Sequence, residues 1–184
     1  MTSPPELGEV LAVCLSRDRQ FSKTPCDFID VIAGYGVRGD IHAGAKVRHR
    51  SRMRTDPYQP NLRQVHLIPG ELIDELDRKG FELNPGNLGE NIVTRGLDLT
   101  AFGRDTLLRI GPRVVLSVTG LRNPCQQIEE FAPGLLKEVA PHTPRGRECR
   151  VGIMTVVLAG GIVRPGDNIE AARPEGLHVP LCIV

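Results

Sequence analysis

The chain has 184 residues, of which 40% are hydrophobic, and this is the size and composition of one compact globular domain. The net charge of +1 and the absence of Trp argue against a nucleic-acid-binding protein, and no apolar run is long enough for a membrane helix. We therefore predict a single domain over residues 1–184 that binds neither nucleic acid nor membrane. Five widely spaced cysteines argue against a disulfide framework, and the N-terminus lacks the apolar core of a secretory signal, so a reduced, cytoplasmic protein is predicted.

Short apolar runs rich in β-branched residues predict strands in the first half of the chain, at residues 9–15, 27–33, 64–68 and 91–94. One amphipathic helix is predicted between the last two runs, from Pro69 to Lys79. Acidic residues crowd its first turn, Gly80 ends it, and three apolar residues share one face: Leu72, Ile73 and Leu76. We expect this helix to support the fold rather than to take part in chemistry.

Residues 37–61 form a long segment without apolar periodicity, which is rich in arginine and carries His42 and His49. A loop of this length inside a compact domain is usually either functional or flexible. Arginine side chains bind phosphate groups in a bidentate manner. An anion-binding site is therefore one interpretation of this basic segment, and a solvated loop is the other.

The second half of the chain predicts further short strands with few helices between them. A hairpin is predicted from residues 106–110 and 114–119, and strands are predicted at residues 153–158 and 162–171, with turn residues at 159–161 and 164–167. Residues 126–131 and 133–140 are predicted to be short helices, and residues 141–149 form a second basic loop. This pattern favours a mainly β fold, a barrel with a few peripheral helices, because a doubly wound α/β fold needs a more regular alternation of strand and helix.

Cys125 is the residue that most strongly suggests chemistry. The strand at residues 114–119 ends at Gly120, and a short loop leads to Cys125 at the start of a predicted helix. Free backbone N–H groups of that helix and the nearby Arg122 would stabilise a thiolate, and Pro124 limits how the sulfur points. Arg122 is expected to be a solvent-facing loop residue that contributes little to packing. Because cysteine is also among the most buried residue types, a reactive or metal-binding thiol and a structural cysteine stay as alternatives.

Common cofactor and metal motifs are missing from the sequence. There is no glycine-rich phosphate loop of the P-loop or dinucleotide type, and no cysteine pair has the spacing of a zinc site. A metal site with three ligands, His42, His66 and Cys125, stays as an alternative.

Several short motifs in a fixed order resemble the MOSC family, which is named for the C-terminal domain of molybdenum-cofactor sulfurases. They are GDIHAG (residues 39–44), RQVHL (63–67), NLGEN (87–91), GLD (96–98), RNPC (122–125) and RPGD (164–167). The resemblance extends over about residues 34–171, so it implies a stand-alone MOSC domain with a β-barrel fold. The chain departs from the family at residues 103–105, where an arginine separates Gly from Asp, and this is expected to affect only a turn.

The resemblance implies a protein that binds the molybdenum cofactor, a molybdopterin, with Cys125 as molybdenum ligand and catalytic residue. Related enzymes reduce N-hydroxylated compounds such as hydroxylaminopurines and amidoximes, so it implies a molybdenum-dependent reductase of such substrates. A separate electron-donor protein would then be required, because this chain has no flavin motif or cysteine cluster. The alternative is a carrier that hands on the cofactor, or hands on sulfur held as a persulfide on Cys125. The oligomeric state stays open.

The remaining site residues follow from this resemblance together with the donor groups that they carry. His42 is a candidate catalytic residue that would donate a proton during reduction. A loop-stabilising hydrogen bond for His42 and a structural turn for Asn91 stay as alternatives. The full set of candidate cofactor-binding residues is Arg38, Gly39, Asp40, His42, Asn91, Arg122, Asn123 and Arg147.

Overall fold

The fold consists mainly of short strands. The computed structural model describes residues 5–47, 56, 58–144 and 146–184. The described residues form β1 (Glu6–Leu15), β2 (Thr24–Cys26), β3 (Ile29–Ile32), β4 (Gly36–Val37), β5 (Val65–Pro69), β6 (Ile92–Arg95), β7 (Leu107–Ile110), β8 (Val114–Leu121), β9 (His142–Thr143), β10 (Gly146–Arg147), β11 (Ile153–Ala159), β12 (Gly161–Val163) and β13 (Asn168–Ala172). The helices are α1 (Gly70–Arg78), α2 (Gln126–Phe131) and α3 (Leu135–Val139), with a 3₁₀ turn at Leu99–Ala101.

Seven of these strands close into a barrel. They follow one another around the wall in the order β13–β7–β8–β11–β5–β6–β1, and β1 pairs with β13 to complete the circle. β5 and β6 run parallel, whereas the other neighbouring pairs in the wall are antiparallel. β2 extends the sheet beyond β1, while β3, β4 and β12 form a small second sheet and β9 and β10 a separate hairpin. The predicted mainly β barrel with a few peripheral helices is confirmed.

Along the barrel strands, inward-facing side chains alternate with outward-facing ones. The inward-facing positions carry apolar residues, so the interior of the barrel is apolar. In β8, for example, Val114, Leu116 and Val118 are buried, while Val115 and Thr119 are only half-buried. The predicted hairpin is present as β7 and β8, whose strands pair in antiparallel register. The predicted turn at residues 103–105 is also present, immediately before β7.

A second apolar cluster lies between the barrel wall and the three helices. Leu72 and Leu76 of α1 are buried in it, whereas Ile73 is only partly buried. Pro69 precedes the first turn of α1, and Gly80 follows its end at φ +89°, as the sequence predicts. None of the helices in the described ranges is long and apolar enough to cross a membrane. The other two helices add three buried side chains to the cluster: Ile128, Leu135 and Val139.

The turn at residues 164–167 separates two strands that belong to different sheets. β12 pairs with β3, whereas β13 pairs with β1 and β7 of the barrel. In the turn, the Asp167 carboxylate accepts a hydrogen bond from the Arg164 N–H at 2.8 Å, and Gly166 takes φ +88°. The turn residues predicted at 164–167 are therefore present as a turn, which divides the stretch 162–171 into two strands and redirects the chain from the small sheet into the barrel wall.

Residues 173–184 return along the outer edge of β8. The Leu121 N–H donates to the Cys182 carbonyl at 2.8 Å, and the Arg104 N–H donates to the Val179 carbonyl at 2.9 Å. A Cβ atom at Gly120 would lie 2.4 Å from the Cys182 carbonyl oxygen, so the close approach requires glycine there. This C-terminal tail therefore runs beside the loop that leads from β8 to Cys125.

The two flanks of the basic segment at residues 37–61 pair with each other. The Val47 N–H donates to the Gln59 carbonyl and the Asn61 N–H donates to the Ala45 carbonyl, both at 3.0 Å. His49 and most of the arginines of this segment fall at residues 48–55, which, with residues 57 and 145, lie outside the described residues. The anion-binding interpretation of this segment stays a prediction.

We expect Leu76→Ala to lower the free energy of unfolding by about 2–5 kcal/mol, because it leaves a cavity in the cluster under α1. The Leu76 side chain has no exposed surface, whereas Leu177 in the tail is 93% exposed. Leu177→Ala is the matched control and should change the free energy by less than about 0.5 kcal/mol. Urea denaturation followed by circular dichroism measures both, and similar losses in the two variants would contradict the packing assigned to α1.

Candidate functional site

The Cys125 thiol lies at the surface, where the loop after β8 meets α2. Cys125 immediately precedes α2, and its side chain is partly exposed. Its Sγ lies 4.0 Å from Arg122 Nη2 and 3.7 Å from Gln127 Oε1. The Arg122 N–H donates to the Gly152 carbonyl at 3.1 Å, which ties this loop to the residue before β11. An accessible sulfur beside a guanidinium group favours the reactive or metal-binding alternative over a structural cysteine.

The other four cysteines lie in different surroundings. Cys14 is fully buried, and burial raises the pKa of its thiol to about 12. Burial also raises the pKa of Cys26 and of Cys149. Cys182 is exposed on the C-terminal tail. Three of the four thiols are thus held in the protonated form, which is a poor nucleophile and a poor metal ligand.

Arg122 is buried, so the expectation of a solvent-facing residue is wrong. Its residue exposure is only 9%, and its guanidinium lies over the Phe21 ring with 5.9 Å to the centroid. Nη2 reaches the Leu88 carbonyl at 3.5 Å, but Nη1 is a buried nitrogen without any hydrogen-bond acceptor among the described residues. Burial lowers the pKa of Arg122, against the attraction of Cys125 and Glu90. A buried, charged N–H without an acceptor is costly, so this nitrogen is a natural contact for an anionic ligand.

The loop of residues 86–91 brings the parts of the site together. Glu90 is completely buried, and its carboxylate accepts hydrogen bonds from the N–H groups of Gly86 and Leu88. Burial raises the pKa of Glu90, whereas these backbone N–H groups oppose the rise. A Cβ at Gly86 would lie 2.1 Å from the Lys23 carbonyl oxygen, so the loop packs directly on the segment before β2. These contacts fix the position of the loop. Its Leu88 carbonyl lies against Arg122, and Asn91 forms its other end.

Asn91 uses its whole side-chain amide inside the protein. Its Nδ2 donates to the Cys14 carbonyl and to Asp40 Oδ2, both at 3.1 Å, and its Oδ1 accepts from the His66 N–H at 3.2 Å. Asp40 also forms a salt bridge with Lys23, whose Nζ lies 2.8 Å from Oδ2. Residues 91 and 40 therefore belong to one buried polar network behind the site.

The two described histidines of the predicted metal site have different partners. His66 is buried, and its Nε2 lies 2.7 Å from the Val151 carbonyl oxygen. Burial and the charge of Arg122 lower the pKa of His66 from 6.5 to about 3. His42 is partly exposed and places Nδ1 3.5 Å from Asp40 Oδ1. No group of three metal-ligating side chains occurs in the part of the chain that the structure describes, so the structure gives no support to the three-ligand alternative.

The remaining predicted residues are three exposed side chains and one glycine. Arg38 is exposed, and its Nε binds the Asp30 carboxylate at 2.6 Å. Gly39 takes φ +80° in the turn before Asp40, and Asn123 is exposed in the loop next to Cys125. Arg147 is exposed in β10. The structure thus brings residues 122 and 125 together in one group and residues 40, 42 and 91 in another, and the 86–91 loop contacts both through Leu88 and Asn91.

Sequence reasoning missed Lys23 and Glu90. Lys23 lies in a polar, turn-rich stretch, and such stretches are usually solvated, yet the residue is only 5% exposed. Glu90 falls inside the NLGEN motif, so the motif points to the correct place but not to a buried carboxylate. Lys23 has no local signal, because its partner Asp40 is brought to it by the tertiary fold, whereas Glu90 accepts hydrogen bonds within its own loop.

Two cavities in the described part of the chain lie away from Cys125. One of about 490 Å³ lies between the β7–β8 turn and residues 166–170. The other, of about 390 Å³, lies between α1 and residues 96–100. The candidate site is therefore a surface site beside Cys125 rather than either of these two cavities.

The order of the motifs and the closed barrel agree with a known family. The MOSC domain model matches residues 38–170, which is most of the chain. The chain belongs to the MOSC domain family. MOSC domains are associated with binding of the molybdenum cofactor.

Solved structures share the fold of this MOSC protein. The YuaD protein from Bacillus subtilis aligns with a TM-score of 0.74 and 22% identity, over 95% of this chain and 100% of that one. YiiM from Geobacillus stearothermophilus aligns with a TM-score of 0.65 and 17% identity, over 95% and 79% of the two chains. YiiM from Escherichia coli aligns with a TM-score of 0.61 and 17% identity, over 93% of this chain and 73% of that one. No curated protein matches the sequence. At 17% to 22% identity, the similarity to these solved structures establishes the fold alone.

We expect the stability of this MOSC protein to fall in mild acid because of His66. Its folded-state pKa of about 3 lies below the ordinary value of 6.5, so the unfolded chain binds a proton that the folded protein excludes. The contribution of His66 to the free energy of unfolding is complete above pH 6.5 and declines as the pH falls from 6.5 toward 3. The slope is at most about 1.4 kcal/mol per pH unit.

His66→Gln removes the titrating group, so its unfolding free energy should change less between pH 7 and pH 5 than that of the wild type. His178→Gln is the matched control, because His178 is exposed on the tail. Urea denaturation at the two pH values measures the difference. An unaltered slope in His66→Gln would show that another group causes the acid sensitivity.

Proposed function

We propose that this MOSC protein binds the molybdenum cofactor beside Cys125 and reduces N-hydroxylated compounds with electrons from a separate donor protein. The observation that carries the proposal is the unpartnered Arg122 Nη1, a buried nitrogen on the guanidinium that lies next to the Cys125 sulfur. Membership of a family associated with this cofactor agrees with it. The proposal assigns the cofactor and the activity to one place in the fold.

The residues at this place fit the chemistry of the cofactor. A thiolate is a soft ligand suited to a heavy metal that already has sulfur ligands. The cofactor is anionic, through its dithiolene sulfurs and its phosphate, and Arg122 offers a buried positive charge with an unused donor. Cys125 would bind the metal and Arg122 would contact an anionic group, while the exposed Asn123, Arg38 and Arg147 are further candidates for polar contacts.

The chain's own residues have separate tasks in such a reduction. When bound, the cofactor would supply a two-electron redox centre. Arg122 would neutralise negative charge close to the Cys125 sulfur, which lies 4.0 Å from its Nη2. Reduction of an N–OH group to an amine also consumes two protons and releases water. His42, which is partly exposed and backed by Asp40, is the candidate donor of one of them.

A second candidate function is a carrier that holds sulfur as a persulfide on Cys125. It is favoured by the partial exposure of the thiol. A carrier needs an accessible sulfur, whereas a reductase also needs a substrate site next to the cofactor. Analysis of the bound groups separates the two.

We expect Cys125→Ser to lose bound molybdenum and pterin when the protein is expressed in a host that makes the cofactor and is supplied with molybdate. Serine removes the soft ligand and keeps the size of the side chain. Cys182→Ser is the control, because Cys182 is exposed and lies on the tail. Metal analysis, pterin fluorescence and turnover of a hydroxylaminopurine with a chemical reductant are the measurements. Retained metal and turnover in Cys125→Ser would contradict the assignment, and a persulfide without pterin in the wild type would favour the carrier.

We expect Arg122→Leu to lower the cofactor content severalfold while leaving the unfolding free energy of the cofactor-free protein unchanged or raised. Leucine removes the unpartnered charge, and a buried charge without a full set of partners is often replaced by an apolar residue without loss of stability. Arg164→Leu is the matched control, because Arg164 also lies over a phenylalanine ring, that of Phe28, but is exposed. It should leave cofactor content unaltered. If Arg122→Leu melts early and keeps its cofactor, Arg122 is a structural residue.

A further inference from the structure

Two aromatic side chains lie beside the candidate site. The chain has only five Phe and two Tyr residues and no Trp. Nevertheless, the rings of Phe21 and Phe131 lie together, with 5.9 Å between their centroids and an angle of 46° between their planes. Phe21 precedes β2, and Phe131 is the last residue of α2. These two side chains, the ring pair, form a large apolar contact surface whose use depends on its position relative to Cys125.

A continuous set of contacts leads from the thiol to the ring pair. The Cys125 sulfur lies 4.0 Å from Arg122 Nη2, and the Arg122 guanidinium lies over the Phe21 ring. Phe21 in turn contacts Phe131. Helix α2 connects the two ends of this set, because Cys125 is its N-cap and Phe131 its last residue. Six residues of helix rise by about 9 Å, so one small ligand can reach from the thiol to the outer ring.

Exposure to solvent increases along this set of contacts. Arg122 is 9% exposed, Phe21 is partly buried, and Phe131 is 40% exposed. A resident cofactor stays bound, and it would occupy the inner end, where Arg122 Nη1 has no acceptor. A substrate enters from solvent and leaves again in each turnover, so it must contact the outer end. The exposed ring at that end offers a flat apolar face.

We propose that Phe131, supported by Phe21, determines substrate specificity by binding the planar ring of an aromatic N-hydroxylated compound. This inference rests on the proposed reductase function and adds to it the preferred class of substrate. Aromatic rings attract one another in stacked and edge-to-face arrangements. An aliphatic compound with the same N–OH group has no flat face for Phe131 and binds more weakly.

The pterin of the cofactor is the other flat ring that could lie on the ring pair. In that case Phe131 would be a cofactor contact, and its removal would lower the amount of bound pterin. If the ring pair binds the substrate, its removal raises KM for aromatic substrates and leaves the pterin content unaltered. The two occupants are therefore distinguished by measuring pterin content and kinetics on the same protein samples.

Benzamidoxime and acetamidoxime are the matched substrates for this test, because they have the same reacting group and differ in a phenyl ring against a methyl group. Phe131→Leu keeps an apolar side chain and removes the flat ring. In cofactor-loaded protein, we expect it to lower the ratio of kcat/KM for benzamidoxime to kcat/KM for acetamidoxime by about 10-fold, through KM for benzamidoxime. Phe131→Tyr keeps a flat ring and should retain the wild-type ratio.

Phe28→Leu is the matched control. Phe28 is also exposed, to 50%, and also lies under a guanidinium, that of Arg164, but it belongs to the turn between β2 and β3. Its replacement should leave the ratio unaltered. An unaltered ratio in Phe131→Leu, or loss of its pterin, would overturn the inference. Absence of cofactor or turnover in the wild type would instead refute the reductase function.

A fluorescence titration tests the ring site without turnover. Phe131→Trp places the single tryptophan of the chain at the ring pair. Without a reductant, benzamidoxime should change its emission in a saturable manner, at concentrations at least about tenfold below those at which acetamidoxime acts. Phe28→Trp should show no saturable response to either compound. Equal responses of Phe131→Trp to the two compounds, or a saturable response of Phe28→Trp to benzamidoxime, would overturn the inference.

Discussion

The hydrogen bonds that the Glu90 carboxylate accepts from its own loop hold together the loop that contacts both Arg122 and Asp40. Glu90 is fully buried and binds the backbone N–H groups of Gly86 and Leu88. Without this acceptor, two buried N–H groups would lose their partner, and each such loss costs about 1–3 kcal/mol. The interaction is local, yet it sets the position of the Leu88 carbonyl at Arg122 and of the Asn91 amide at Asp40.

The topology of the barrel explains why such a loop exists. β5 and β6 are parallel neighbours, and parallel strands need a long crossover connection rather than a tight turn. Here the crossover consists of α1 followed by residues 79–91, so the 86–91 loop is the last part of the connection before β6 enters the wall. An antiparallel pair at this place could be joined by a two-residue turn and would leave no backbone to carry the site.

The sequence predicts most of the scaffold because its signals are local. The apolar face of α1, the stop at Gly80 and the β7–β8 hairpin can each be recognised from a few consecutive residues, and each is present. The motifs contain Cys125, Arg122, Asp40 and Asn91, but the spacing of these residues does not give their roles. The side-chain surroundings could not be predicted in the same way. A loop between a strand and a helix is usually exposed, which predicts a solvent-facing Arg122, but its guanidinium lies over the ring of Phe21, about a hundred residues away along the chain.

The C-terminal tail has a consequence for how the barrel avoids pairing with other chains. β7 and the residues just before it cover β8 from Val114 to Val118, so the last residues of β8 would be an open strand edge close to Cys125. Open edges invite strands from other molecules, which leads to aggregation or to unwanted complexes. The tail occupies this edge through the Leu121–Cys182 hydrogen bond and the bridge between Leu121 and Ile183. The wall beside the thiol is therefore closed to β-augmentation by a foreign strand, while the thiol itself stays accessible.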